Sequence, residues 1–172
     1  MEHMWTCSCC GRSFNSLPMG YAFAAPDNWF AISEAERATT HSKLDANLCV
    51  INRNEYYVRG CLEIPVSDSP EIFVWGIWVS VSEQSFQYIL DHWTSPIGPD
   101  EPPRFGWFCN WIRGYPKPHE IKCEVYLRSN NQRPSIVLES TDYPLAVEQH
   151  RGITVERVKQ IAAERHGNNE PL

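Results

Sequence analysis

The segment between residues 72 and 81 reads Ile72-Phe-Val-Trp-Gly-Ile-Trp-Val-Ser-Val81. It is almost continuously apolar and rich in β-branched and aromatic residues, which is typical of a central strand buried on both faces. Because successive side chains of a strand alternate between its faces, Trp75 and Trp78 are expected to point in opposite directions. We therefore predict a β-sheet with this segment near its centre.

Shorter segments on both sides of this strand predict further strands. Residues 48–51 and 56–66 are separated by the polar stretch Asn52-Arg-Asn-Glu55, which has the length of a hairpin turn. Apolar residues recur at every second position from Ile121 to Leu127, the period of a half-buried strand. Extended structure is also expected at residues 105–111 and 135–139.

Helix-capping residues indicate about three helices. Ser33 and Glu36 have the spacing of a capping box, within a first helical region at residues 26–47. Ser82 is expected to cap a second helix, and Thr154 a third. The sequence thus predicts an α+β fold, a mainly antiparallel β-sheet meander with about three helices packed on it and an N-terminal Cys-rich knuckle.

The length and composition indicate one folded domain. The chain has 172 residues, of which 42% are hydrophobic, and this composition excludes gross disorder. We predict a single domain over residues 1–172. Its expected parts are the Cys-rich knuckle (5–20), an α+β body (26–166) and a frayed tail (167–172).

The charge and the terminal sequence restrict the classes of partner. The chain has 15 basic and 21 acidic residues, a net charge of −6, and shows no basic run, so no nucleic-acid partner is expected. No apolar run approaches the roughly 20 residues of a membrane helix, so no membrane partner is expected. The first residues lack the pattern of a secretory signal, which predicts a cytoplasmic location.

Three of the seven cysteines lie together in Cys7-Ser-Cys-Cys10-Gly11. Cys7 and Cys10 have the Cys-x-x-Cys spacing that lets two thiolates bind one zinc ion across a tight turn. This pattern supplies only half of the ligands of a structural zinc site. Free thiols or a redox pair are the alternatives.

The remaining zinc ligands would have to come from elsewhere in the chain. Cys49 and Cys61 flank one predicted hairpin turn, and we predict that they complete a site with Cys7 and Cys10. Cys9 and His3 are further candidates.

Aromatic side chains are concentrated in the predicted strands at 72–81 and 105–111. Exposed aromatic residues with charged neighbours are typical of protein-binding hot spots, although large aromatic side chains more often form the core. The candidate partner-binding residues are Trp75, Trp78, Trp107, Trp111, Arg59 and Glu63.

Known catalytic motifs are absent from the sequence. It contains no Gly-x-Ser-x-Gly, no His-Glu-x-x-His and no Gly-rich phosphate loop. The six histidines are scattered in polar contexts, so no catalytic residue is assigned.

Several longer blocks recur in the order found in a known family. The blocks are Cys7-Ser-Cys-Cys10-Gly11, Ala25-Pro26-Asp27, Leu48-Cys49-Val-Ile51, Arg59-Gly-Cys-Leu-Glu-Ile-Pro-Val66, Trp75-Gly-Ile-Trp-Val-Ser-Val-Ser82, Phe105-Gly-Trp107, Gly114-Tyr-Pro116, Pro144-Leu-Ala-Val-Glu-Gln149 and Gly152-Ile-Thr154. Over about residues 5–163 the chain resembles a family of small bacterial proteins, the domain of unknown function 2199. The resemblance implies a bacterial, cytosolic, single-domain protein and no particular activity. The family pattern often has histidine where this chain has Tyr143, which argues against a role that needs an imidazole there.

These observations lead to three functional hypotheses. The first is a non-catalytic cytosolic binding protein, for example an immunity protein that neutralises a bacterial toxin by protein–protein contact, because an acidic protein attracts a basic enzyme. The second is a small zinc-dependent or thiol-dependent enzyme that uses the Cys7/Cys10 knuckle. The third is a structural or adaptor module in which the knuckle only fixes the N-terminus.

Overall fold

The computed structural model describes residues 4–167 of the chain. Within these residues the strands are β1 (Trp5–Thr6), β2 (Ser13–Phe14), β3 (Gly20–Ala22), β4 (Lys43–Leu44), β5 (Leu48–Ile51), β6 (Glu55–Pro65), β7 (Ile72–Val81), β8 (Arg104–Phe108), β9 (Lys122–Tyr126) and β10 (Ser135–Leu138). The helices are α1 (Asp27–Ala31), α2 (Glu34–Arg37), α3 (Glu83–His92), α4 (Pro144–Arg151) and α5 (Val155–Gly167).

Five of the strands close into a barrel. In the order β6-β7-β8-β9-β10, each strand pairs antiparallel with the next. β10 then pairs in parallel with β6 at Ser135 and Cys61, which completes the ring. A Cβ atom at Gly60 would lie 2.9 Å from the carbonyl oxygen of Pro134, so the close approach at this junction requires glycine.

The expected antiparallel meander with about three helices is therefore wrong. The main sheet is mixed, because β3 also adds in parallel to β7, and the described residues form five helices. Alternation along a segment indicates a strand but does not specify its neighbour. Along one edge of β6, Val58 pairs with Leu48 of β5, and Cys61 then pairs with Ser135 of β10. Nothing in the local sequence pattern predicts this change of partner strand.

The helix caps are confirmed, but the helix lengths differ from expectation. The Ser33–Glu36 capping box starts α2, Ser82 caps α3, and Thr154 Oγ1 accepts a hydrogen bond from the backbone N–H of Arg157 at the start of α5. The first helical region is split into α1 and α2 because Ile32 and Ser33 are extended. Helix α4 was not anticipated. Of the predicted frayed tail (167–172), Gly167 is the last residue of α5, and residues 168–172 lie outside the described residues.

The opposite orientations of Trp75 and Trp78 are confirmed. Trp75 belongs to the main core, which fills the barrel and extends to the helices. Trp78 faces the other way and packs in a smaller cluster with Cys49, Ile51 and Tyr57. Strand β7 therefore separates two apolar regions, as its nearly continuous apolar sequence suggests.

A buried asparagine connects this smaller cluster to the loop that follows β8. Oδ1 of Asn110 accepts the backbone N–H of Trp78 at 2.7 Å, and its Nδ2 donates to the carbonyl oxygen of Ala25 at 3.0 Å. Nδ2 also lies 3.2 Å from Oδ1 of Asp27, at the start of α1. The amide thus provides partners for the buried backbone groups of Trp78 and Ala25, which would otherwise lack them.

Candidate functional site

The Cys-rich knuckle is a short hairpin at the end of α5. β1 and β2 pair antiparallel, with Trp5 opposite Phe14. In the turn between them, the backbone N–H of Gly11 donates to the carbonyl oxygen of Cys7 at 2.9 Å. Gly11 has a φ of +67°, a left-handed conformation that suits glycine. This tight turn folds the chain back so that its three thiols meet.

The thiols of Cys7, Cys9 and Cys10 form a compact cluster. Their Sγ atoms all lie within 4.8 Å of one another, and those of Cys7 and Cys9 are 3.0 Å apart. Two thiolates on a tetrahedral zinc ion, at a Zn–S distance of about 2.3 Å, are separated by about 3.8 Å. The three cysteines could therefore hold a metal ion after small side-chain movements.

His166 lies against this cluster in the last turn of α5. Its ring is 4.8 Å from that of Phe14 and 5.7 Å from that of Trp5, measured between centroids. The Nδ1 atom of His166 is buried and has no hydrogen-bond partner. Gly167 brings the helix end close to Cys9, because a Cβ there would lie 3.8 Å from the Cys9 Sγ atom. His166 is not among the side chains whose ligand atoms all lie within 4.8 Å of one another, so its ring would have to move to bind an ion held by the three thiols.

The cluster also changes the acidity of its thiols. Burial disfavours the Cys7 thiolate, but interactions with Cys9, with His166 and with the backbone of Cys10 outweigh it and lower the pKa of Cys7 to about 6. The hydrogen bond with Cys7, together with burial, raises the pKa of Cys9 to about 12. The two thiols therefore differ in acidity, and that of Cys7 loses its proton more readily than that of Cys9.

Two of the predicted zinc ligands lie elsewhere in the fold. Cys49 is buried beside Trp78, and burial raises the pKa of its thiol to about 12. Cys61 lies on β6, on the outer side of the barrel, and lines a surface groove. Within residues 4–167, the only group of cysteine, histidine and acidic side chains close enough to share an ion is Cys7, Cys9 and Cys10. His3 lies outside the described residues.

The structure separates the four candidate tryptophans into two pairs. Trp75 and Trp78 are 1% and 0% exposed, so both are core residues with no surface to offer a partner. Trp107 is partly exposed on β8, and Trp111 is exposed in the following loop, where its indole N–H donates to the carbonyl oxygen of Tyr115 at 3.0 Å.

The two charged residues predicted to bind a partner, Glu63 and Arg59, have different surroundings. Glu63 forms an ion pair with Arg128 on the barrel surface. Arg59 lines the same groove as Cys61. Neither charged residue lies on β8 or β9, where the exposed aromatic side chains are found.

An exposed aromatic face runs across β8 and β9, and we define it as Phe105, Trp107 and Tyr126. These side chains are 54%, 36% and 37% exposed, and the rings of Phe105 and Trp107 meet edge to face at 5.2 Å. Glu124, which is paired with Phe105 in the sheet, accepts a hydrogen bond from the Tyr126 hydroxyl at 2.6 Å. Phe105 and Tyr126 are not among the partner-binding residues predicted from the sequence, although their alternation with buried residues along β8 and β9 indicates that they point outward.

The comparisons with known proteins identify a family but no activity. A model of a family described as uncharacterised proteins conserved in bacteria, domain of unknown function 2199, matches residues 6–153. The chain belongs to this family. The match covers the thiol cluster and the whole barrel and ends before α5, so His166 lies outside the matched residues. No curated protein and no solved structure matches the chain.

None of the helices in residues 4–167 combines the length and the apolar character that crossing a bilayer requires.

Proposed function

We propose that the protein is a non-catalytic binding protein of the bacterial cytoplasm and that a protein partner docks on the aromatic face. The single observation that carries this proposal is the exposure of Phe105, Trp107 and Tyr126 side by side on two strands of a closed barrel. Adjacent exposed aromatic side chains on rigid strands need little ordering when they bind, and aromatic residues dominate protein–protein hot spots.

Neutralisation of a toxin is the specific form of this function that we propose. The net charge of −6 would steer a basic enzyme towards the protein, and association would then depend on the apolar contacts of the aromatic face. Lys122, opposite Trp107, and Glu124, opposite Phe105, would supply polar groups beside the aromatic side chains.

The thiol cluster has a structural role in this proposal. Zinc would be bound by Cys7, Cys9 and Cys10, with His166 as a fourth ligand after its side chain moves towards them, and four protein ligands would leave no coordination position for water or substrate. Such an ion would fix the N-terminal hairpin to the end of α5, and through α5 to the barrel core, where Val158 and Ile161 are buried.

The alternative is a zinc-dependent or thiol-dependent enzyme built on the same cluster. The lowered pKa of Cys7 favours it, because a thiolate is the reactive form. Cys7 is almost completely buried, however, and a nucleophile must reach its substrate. A catalytic zinc ion would also need an open position, which a fourth ligand from His166 would remove.

The test of the proposed function is co-expression with the products of neighbouring genes. We expect one of them to arrest growth alone, to be neutralised by this protein and to co-purify with it in a stable complex. Trp107→Asp should abolish both effects, whereas Phe30→Ala, a change at an exposed aromatic residue of α1, should leave them intact. A complex that tolerates Trp107→Asp, or no complex with any neighbouring product, would contradict the proposal.

A further inference from the structure

A groove of about 690 Å³ lies on the outer side of the barrel, where β3, β7 and β6 run side by side. In the sheet Ala22 is paired with Gly76, and Gly76 with Cys61, so the centre of the groove has only small side chains. The residues that line the groove are Pro18, Gly20, Tyr21, Ala22, Ala24, Val74, Gly76, Cys61, Arg59, Arg133 and His166.

Arg59 extends into this groove from β6 and is incompletely satisfied. Its Nη1 atom donates to the carbonyl oxygen of Ala46 over 3.3 Å, but its Nε atom is buried without a hydrogen-bond partner. A buried guanidinium nitrogen without a partner is costly, and a bound acceptor would remove that cost.

Arg133 brings a second positive charge to the same groove. Its Nε atom donates to Oδ1 of Asn47 at 2.8 Å. The backbone N–H of Arg59 donates to the backbone oxygen of the same Asn47, also at 2.8 Å. The segment at residues 46–47 therefore holds both guanidinium groups in place. Burial, followed by the positive charge of Arg133, lowers the pKa of Arg59.

Arg59 and Arg133 lack the acidic partner that three other arginines of the described residues have. Arg104, Arg128 and Arg157 each form an ion pair with a glutamate. Within residues 4–167, no carboxylate lies within ion-pair distance of Arg59 or Arg133. The nearby Asp45 is already used, because its Oδ1 atom accepts the backbone N–H groups of the next residues, Asn47 and Leu48.

From these contacts we infer that the groove binds a small organic anion, whose carboxylate or phosphate group lies between Arg59 and Arg133 and whose apolar part contacts Ala22 and Val74. Arginine presents parallel N–H donors that suit both of these groups. The inference does not depend on the aromatic face or on zinc, so a failed test of either leaves it unchanged.

Calorimetric titration of the full chain with benzoate and with phenyl phosphate tests this inference. We expect saturable binding of at least one of them at one site per chain, and the comparison shows which anion is preferred. Arg59→Gln and Arg133→Gln should each weaken binding by about tenfold or more, because each removes a charge-assisted hydrogen bond. Arg151→Gln, a change at an exposed arginine on α4, is the matched control and should have no effect.

Cys61 provides an independent readout in the unmodified protein because its thiol lines the groove. The anionic reagent iodoacetate should modify Cys61 faster relative to neutral iodoacetamide than it modifies a cysteine in the denatured chain, and bound ligand should slow both reactions. Arg59→Gln should reduce this preference for iodoacetate. The inference is overturned if neither anion binds, if both arginine variants bind normally, or if Cys61 shows no preference for iodoacetate.

Discussion

The Sγ atoms of Cys7 and Cys9 lie 3.0 Å apart, closer than the separation of about 3.8 Å that two thiolates adopt around a tetrahedral zinc ion. At this distance the two sulfur atoms interact directly, and either could be the hydrogen-bond donor. A metal ion bound by both sulfur atoms would move them apart, and the Cys10 sulfur is close enough to bind the same ion. The knuckle therefore brings together three thiols that could hold a metal ion.

The first prediction concerns which cysteines hold zinc. Cys7→Ser, Cys9→Ser and Cys10→Ser should each lose bound zinc and lower the melting temperature, since each removes a ligand of the cluster. Cys49→Ser and Cys61→Ser are matched controls and should retain one zinc per chain. Elemental analysis of the purified variants gives the answer, and zinc loss in Cys61→Ser would restore the ligand set expected from the sequence.

A second prediction concerns His166 as the fourth ligand. His166→Ala should weaken zinc binding by on the order of 100-fold, more than loss of a typical outer partner of a metal site. His166→Cys should recover most of the affinity, because a thiolate is also a zinc ligand, whereas a purely packing role would not be rescued. His41→Ala, at an exposed histidine, is the control. Competition with a zinc chelator measures all four proteins, and unchanged affinity in His166→Ala would remove this residue from the site.

The aromatic face should contribute to binding without contributing to stability. Phe105→Ala and Trp107→Ala should shift the urea midpoint little, because both side chains are largely outside the core. Each should weaken the partner complex by about 2 kcal/mol or more, roughly thirtyfold in Kd. Parallel unfolding and affinity measurements separate the two effects. A large loss of stability in Phe105→Ala would show that the face supports the fold.

Asn110 should be among the most sensitive polar positions of the protein. Asn110→Ala leaves the backbone N–H of Trp78 and the carbonyl oxygen of Ala25 without partners, which should cost about 1–3 kcal/mol for each group that water does not reach. Asn54→Ala, in an exposed turn, should change the free energy of unfolding by less than about 0.5 kcal/mol. Urea unfolding compares the two variants, and equal stabilities would contradict the buried network.

Cys49 and Cys123 should react with alkylating reagents only when the protein unfolds. Burial raises the pKa of the Cys49 thiol to about 12 and that of the Cys123 thiol still further, so neither is a thiolate in the folded protein at neutral pH. Their modification rate should therefore follow the rate of opening. Mass spectrometry of iodoacetamide-treated native protein checks this, and rapid labelling of Cys123 would show that the barrel opens readily.

Strand β7 could be predicted from the sequence because its pattern depends only on its own residues. The same is true of the caps at Ser33 and Ser82, whose hydrogen bonds remain within a few residues. The barrel could not be predicted, because its closure depends on the parallel pairing of Ser135 with Cys61, far apart in the chain.

The site follows the same division between local and distant contacts. Cys7 and Cys10 can be recognised by their spacing, because a tight turn brings residues at this spacing close together. His166 was missed because α5 brings it to the knuckle through tertiary packing against Trp5 and Phe14. Cys49 and Cys61 were expected there because a hairpin turn separates them, but their strand positions direct them to other parts of the fold.

The most direct test of a structural rather than catalytic metal site is the visible spectrum of the Co²⁺-substituted protein. We predict one Co²⁺ per chain with the intense d–d bands of a tetrahedral site and sulfur-to-cobalt charge-transfer bands, both unchanged by added azide. Four protein ligands leave azide no position to occupy. A spectrum that shifts with azide would reveal an open coordination position and favour the enzyme, and failure to bind Co²⁺ would contradict the metal site itself.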